Sequence, residues 1–110
     1  MVKLYPPSTS SDPCTINTIN PSFELPVGAS YFVNQSTVPG WKTTASDGII
    51  EFWRSGNKGV PAYEGSAFIE LNANMVAGVY QDYDTPNPVV FNFSFAHRGR
   101  AGTDVCKVSA

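Results

Sequence analysis

The stretch VVFNFSFAHRGR, residues 89–100, decides the fold because apolar and polar residues alternate along most of it. Three phenylalanines, Phe91, Phe93 and Phe95, share one parity, and the intervening residues share the other. A period of two with aromatic and β-branched residues is typical of a strand that buries one face in a core. We therefore predict a strand over residues 89–97 whose phenylalanines point inward.

Short apolar runs separated by turn-forming residues recur along the chain. Its 110 residues include nine glycines and nine prolines, and no long amphipathic segment is present. Frequent turns between short strands are typical of all-β domains. We predict a β-sandwich or jelly roll over residues 20–110, preceded by an extended arm over residues 1–19 with little structure before Ile16. The predicted strands cover residues 23–25, 30–33, 48–54, 66–72, 76–83, 89–97 and 104–108.

The charge of the chain argues against some classes of partner. The net charge is -2 at pH 7, charged residues make up 15% of the chain, and the pI is about 5.1. Such a chain has no broad positive field to neutralise phosphates, so we predict no nucleic-acid partner. The N-terminal residues contain no apolar run of the length that spans a bilayer, so we predict no membrane insertion.

Cys14 and Cys106 lie near opposite ends of the chain. A bridge between them would close a loop of about ninety residues and contribute roughly 4 kcal/mol by the chain-entropy model. Two unpaired thiols are the alternative. The sequence contains no CxxC pair and no Cys/His cluster of the kind that binds zinc.

The parity of GIIEFWR, residues 48–54, separates a core face from a polar face. If Ile50 and Phe52 point into the core, Glu51 and Trp53 stand side by side on the other face. A carboxylate beside an indole suits sugars, since the C–H face of a pyranose packs on an aromatic ring while carboxylate oxygens accept from hydroxyls. The alternative is that Trp53 is core and Glu51 an ordinary solvated charge.

The stretch SAFIELN, residues 66–72, has the same organisation. Its apolar parity leaves Glu70 and Asn72 on the face opposite the core. If the strands at residues 48–54 and 66–72 are adjacent, they bring two carboxylates, an indole and an amide together on one surface. Catalysis by the carboxylate pair, as in glycosidases, is the weakest of these interpretations, and we predict that the protein is not an enzyme.

The end of the opening stretch concentrates charge around a glycine. Arg98 and Arg100 flank Gly99, so the chain can turn while both guanidinium groups project. The arginines either pair with carboxylates or grip a hydroxyl-rich or anionic ligand. His97 is the only histidine and has no nucleophile signature beside it. It either caps the strand or binds ligand. The available carboxylates include Glu64, Glu70 and Asp104.

Six motifs in order resemble a known family. The chain is similar to galactose-binding-like jelly-roll domains of the carbohydrate-binding-module type in secreted bacterial proteins, and more distantly to the plant cell-wall domain DUF642. The resemblance covers about residues 20–108. The motifs are NPSFELP (20–26), VPGWKTT (38–44), DGIIEFWRSG (47–56), PAYEGSAFIELNAN (61–74), VYQDYDTP (79–86) and FSFAHRGRAGTDVCKV (93–108).

The resemblance implies a jelly-roll β-sandwich that contacts glycans or neighbouring domains without catalysis. It also implies a structural calcium, whose ligands here would be Glu24 and Asp104, although neither lies in a recognisable calcium loop. Domains of this type continue past the strand that matches residues 93–108. The chain is then a fragment, a fold closed by its N-terminal arm, or a subunit completed by another chain.

These observations lead to two functional predictions. The first is a non-catalytic carbohydrate-binding or adhesion module that is extracellular, on a cell surface or on a virion. The alternative is a structural subunit of a virion, fibre or surface assembly that uses the same fold for contacts between chains. The predicted ligand-binding residues are Glu51, Trp53, Glu70, Asn72, His97, Arg98 and Arg100.

Overall fold

The computed structural model describes residues 2–5, 16–85, 87, 88 and 90–109 of the chain. Within these residues it contains seven strands and two short 3₁₀ turns, the latter at Gln35–Thr37 and Asn57–Gly59. The strands are β1 (Val2–Tyr5), β2 (Tyr31–Asn34), β3 (Lys42–Thr43), β4 (Ile49–Arg54), β5 (Ala67–Glu70), β6 (Val79–Tyr80) and β7 (Ser94–His97). Across this described part, no helix is long and apolar enough to cross a membrane.

The strands form two antiparallel sheets. The larger sheet has the order β2-β4-β5-β1-β7, and β3 pairs with β6 in the smaller one. The prediction of an all-β chain with short antiparallel strands is confirmed. That the two sheets form a jelly roll stays a prediction.

The first strand lies inside the larger sheet, between β5 and β7. Val2 is in register with Ile69 of β5 and with His97 of β7, and both pairings are antiparallel. The sequence predicts little structure before Ile16, because four residues followed directly by Pro6 and Pro7 give almost no periodic signal. Only the backbone pairing identifies this strand.

The main core lies on one face of β4 and β5. Ile50, Phe52 and Ile69 are each at most 2% exposed, as the parity of the two stretches predicts. Phe23 packs on them with its ring stacked on Trp41 at 4.7 Å between centroids. Each such buried side chain contributes about 1.5–3 kcal/mol of transfer free energy, so this cluster holds the sheet together.

The predicted strand at residues 23–25 is wrong, because a side-chain amide takes the place of a neighbouring strand. Asn20 accepts from the Leu25 N–H at 3.0 Å and donates to the Leu25 carbonyl at 2.8 Å. The Phe23 N–H donates to the Asn20 carbonyl at 3.1 Å, and Phe23 has φ 55°. Asparagine competes with ladder hydrogen bonds in this way. The turn delivers the Phe23 ring to the core.

The opening stretch is a strand only in its last part. Within the described residues β7 pairs with β1 alone, and β1 has four residues, so no described strand pairs with residues 90–93. Phe91 and Phe93 are 42% and 49% exposed, and only Phe95 packs against the main core, so the predicted inward row of three is wrong. Residues 104–108 form no strand either.

Candidate functional site

A row of three side chains crosses β2, β4 and β5 on the face opposite the main core. Phe32 is in register with Glu51, and Glu51 is in register with Glu70. Residues directly opposite each other on antiparallel strands share a face, with Cβ atoms roughly 4.5–5.5 Å apart. Phe32 is 56% exposed, and both glutamates are half-buried. This cross-strand row therefore sets an exposed aromatic ring beside the Glu51 carboxylate, with the Glu70 carboxylate one strand further along.

Trp53 shares this face with Glu51, as the sequence predicts. Its Nε1–H donates to Glu51 Oε1 at 2.7 Å. The indole is only 2% exposed and packs with Phe68 and Val60 in a second core cluster. The predicted role of Trp53 as an open stacking surface is therefore wrong, because β4 buries side chains on both of its faces. Its role at the site is to orient the Glu51 carboxylate.

Two cationic side chains cover the Trp53 indole. Lys58 Nζ lies 5.6 Å and the Arg100 guanidinium carbon 5.7 Å from the ring centroid. A Cβ at Gly99 would clash with the Gly102 carbonyl oxygen, so glycine is required where the chain turns to bring Arg100 there. A cation over an indole is worth about 0.5–1 kcal/mol at exposed sites. Arg100 thus joins the site through Trp53.

Glu70 carries the unsatisfied group of the row. Its Oε2 is buried and has no hydrogen-bond partner within the described residues. Like charges directly opposite on neighbouring strands are destabilising, and a buried acceptor without a donor costs about 1–3 kcal/mol. Glu70 as a whole is half-buried, so part of its side chain is open to solvent. The row therefore holds a buried carboxylate oxygen with no donor among the described residues.

The other predicted ligand-binding residues do not join the row. Asn72 is exposed and lies beyond the end of β5. His97 is the last residue of β7 and is in register with Val2, which is in turn in register with Ile69. His97 therefore lies on the same face of the sheet as Ile69, which is the face of the main core. Arg98 is exposed. The row itself contains a residue that the sequence did not single out, Phe32, because only the register of β2 against β4 reveals it.

The predicted calcium ligands each bind backbone amides. Glu24 Oε1 accepts from the N–H groups of Ser66 and Ala67 at 3.0 and 3.3 Å. Asp104 Oδ1 accepts from the N–H of Val105 at 2.9 Å. Within the described residues, no three His, Cys, Asp or Glu side chains form a group suited to a metal ion. The calcium site stays a prediction.

The predicted disulfide involves a residue outside the described ranges. Cys106 has a free thiol, is half-buried and packs against the main core. Cys14 falls in the segment that the structure does not describe. The described part of the chain contains no disulfide, so the predicted bridge is not supported.

A small cavity opens at the end of β2 and β4. Its volume is about 220 Å³. The sequence offered no signal for it, since its residues come from two strands and a loop. The lining residues are Ser30, Tyr31, Phe52, Arg54 and Asn57.

Comparison with known proteins assigns no family to this chain. No family model matches it, and neither a curated protein nor a solved structure is significantly similar to it.

Proposed function

We propose that the protein is a non-catalytic carbohydrate-binding module and that the cross-strand row of Phe32, Glu51 and Glu70 is its ligand-binding surface. A jelly-roll arrangement of the two sheets and an extracellular, cell-surface or virion location belong to the same proposal. Both follow from the family resemblance of residues 20–108. The observation that carries the proposal is the buried Glu70 Oε2, which has no donor within the described residues and lies in one row with the exposed ring of Phe32.

The chemistry of the row suits a neutral saccharide. The ring of Phe32 offers an apolar surface to the C–H face of a pyranose, in the role that the sequence assigns to Trp53. The carboxylate of Glu70 accepts hydrogen bonds from sugar hydroxyls. Glu51 Oε1 accepts from the Trp53 Nε1–H, and Glu51 Oε2 is the oxygen that accepts from the sugar. The residues that fix a ligand's orientation are few and convergent, as is typical of small-molecule sites.

The proposal is tested by screening the purified protein on a glycan array and on immobilised galactan, mannan, xylan and cellulose. We expect selective binding by the wild type and loss of at least about tenfold in affinity for Phe32→Ala and Glu70→Gln, since hydrogen bonds to charged groups contribute about 1.5–3 kcal/mol. Tyr80→Ala, which removes another exposed aromatic ring, should bind like the wild type. Equal loss in all three variants, or binding by none including the wild type, contradicts the proposal.

Glu70→Gln separates binding from folding. The substitution removes one of two facing carboxylates, so we expect the free energy of unfolding to rise by roughly 0.2–1 kcal/mol while affinity falls. Urea denaturation of the variant measures the first quantity. A variant that lost both stability and binding would instead indicate that Glu70 is structural.

A structural subunit is the second candidate, and an exposed aromatic row favours it. The rings of Phe91, Phe93 and Phe95 follow one another at 6.2 Å between centroids, and the first two are largely exposed beside the edge strand β7. Exposed apolar patches of this kind mark contact surfaces between proteins. Sedimentation velocity distinguishes the candidates, since the binding module is a monomer and the subunit self-associates.

A further inference from the structure

A second site lies on the other face of β2 and β4, in the cavity of about 220 Å³. Tyr31 is in register with Phe52, and Arg54 follows Phe52 by two positions, so all three are placed on the same side of the sheet. Phe52, which is fully buried, and Tyr31, which is 58% exposed, both line the cavity. This site shares no residue with the cross-strand row.

The polar side chains of the cavity have no partners in the described part of the protein. Within the described residues, the side chains of Ser30, Tyr31, Arg54 and Asn57 make no hydrogen bond or ion pair. Together they leave a hydroxyl, a phenol, a guanidinium and an amide available. Convergent polar groups around a cavity are typical of binding sites for small molecules.

The backbone around the cavity is held in uncommon conformations. Tyr31 has φ 60°, and the loop that presents Asn57 contains Gly56 at φ 92° and Lys58 at φ 50°. The left-handed region is unfavourable for a bulky aromatic residue, and such strained residues cluster at ligand-binding and active sites. A strained tyrosine that lines a cavity points to a ligand rather than to packing, because its ring is largely exposed.

We propose that this cavity binds a small hydroxylated carboxylate, of the class of a sugar acid. The Arg54 guanidinium matches a carboxylate in a bidentate pair, with two parallel N–H···O hydrogen bonds. Ser30 and Asn57 supply a hydroxyl and an amide for the ligand's own hydroxyls, and the Tyr31 ring faces its C–H surface. The volume lies below the usual range of about 300–1,000 Å³ for drug-sized ligands, so a single ring is the expected size.

The test uses sodium glucuronate as the probe. Glucose is the control that has the sugar ring without the carboxylate, and sodium acetate is the control that has the carboxylate without the ring. Binding to the full chain is followed by the amide chemical shifts of isotope-labelled protein. We expect saturable shifts at Ser30, Tyr31 and Asn57 with glucuronate, and at least about tenfold weaker binding of glucose and of acetate, since both lack half of the contacts.

Two variants that each lose one positive charge test whether Arg54 binds the carboxylate of glucuronate. Arg54→Gln should weaken glucuronate binding by at least about tenfold, while Lys42→Gln, which removes an exposed cation of β3 in the smaller sheet, should leave it unchanged. Arg54 is exposed, so its replacement should not impair folding. Glucuronate binding should survive Glu70→Gln, which separates this site from the cross-strand row. Equal losses in Arg54→Gln and Lys42→Gln, equal binding of glucose, or no saturable shift would overturn the proposal.

Discussion

Trp53 shows how one residue changes role when both faces of its strand are covered. Alternation in GIIEFWR places it away from Phe52, and that placement is confirmed. Phe68 and Val60 then bury it from a direction that no local pattern indicates, because they come from β5 and from the loop after β4. The polar face of β4 is therefore a second core at one end and an open surface at the other.

Replacing Trp53 with alanine measures its contribution to the second core. We expect the free energy of unfolding to fall by about 3–5 kcal/mol, because a buried aromatic side chain is replaced by a cavity. Urea denaturation followed by circular dichroism gives this value. Phe32→Ala, on the same face but 56% exposed, should cost far less. Similar small losses in both variants would show that Trp53 is not core.

Asp47 links stability to pH. A hydrogen bond from the Asn74 side-chain amide, and a second from the Ile49 N–H, hold the pKa of Asp47 below its usual value of 3.8. A carboxyl whose pKa is lower in the folded state stabilises the fold above its unfolded pKa, and this contribution is lost as the pH falls through the folded pKa.

Acidification should therefore cost the wild type more stability than Asp47→Asn. We expect the melting temperature of the wild type to fall further than that of Asp47→Asn between about pH 6 and about pH 3. Asn74→Ala should show an intermediate dependence, because it removes the larger cause of the shift while the backbone hydrogen bond remains. An equal fall in the wild type and in Asp47→Asn would contradict the assignment.

At the scale of elements, β1 is the connection between the two parts of the larger sheet. β7 pairs with no strand other than β1 in the described part of the chain, and β5 meets β7 only through β1. A strand paired on both sides contributes backbone hydrogen bonds to two neighbours. Removing it would expose the edges of β5 and β7 together, and exposed edges promote association.

Deleting residues 1–5 should release β7 from the sheet and produce a species that associates. A peptide of residues 1–10 added to the truncated protein should restore a monomer, and the same peptide with Lys3→Pro should not, since proline cannot donate to a central ladder. Sedimentation velocity and circular dichroism provide the measurements. A truncated protein that stays monomeric and keeps its full strand content would show that β1 is dispensable.

The fate of β7 shows where sequence patterns fail for single elements. VVFNFSFAH has strong alternation, yet among its described residues only Ser94–His97 form a strand. Conversely, β1 has a weak pattern and lies inside the sheet. Hydrophobic periodicity and β-propensity indicate which conformation a segment can adopt. A strand forms only where a neighbouring strand of matching length pairs with it. β4, which has a partner on both sides, matches its predicted range to within one residue, whereas β5 ends at Glu70, two residues before its predicted end.

For the whole molecule, the class of fold and the polar face were predictable, and the site was predictable in part. Glu51 and Glu70 follow from parity within β4 and β5, and Arg100 from the glycine turn beside it. Phe32 and the cavity at Tyr31 were not, because they depend on which strand lies next to β4 and in which register. Such pairing is a long-range property that no local window contains.

The most direct test of saccharide binding by the cross-strand row is a chemical-shift titration of the isotope-labelled wild type with soluble galactose, mannose and glucose oligosaccharides. Our proposal predicts saturable shifts of the amides of Phe32, Glu51 and Glu70 with one of these sugars, and their loss in Glu70→Gln. Saturable shifts confined to residues away from β2, β4 and β5, or no shifts with a wild type that sediments as an oligomer, would contradict it.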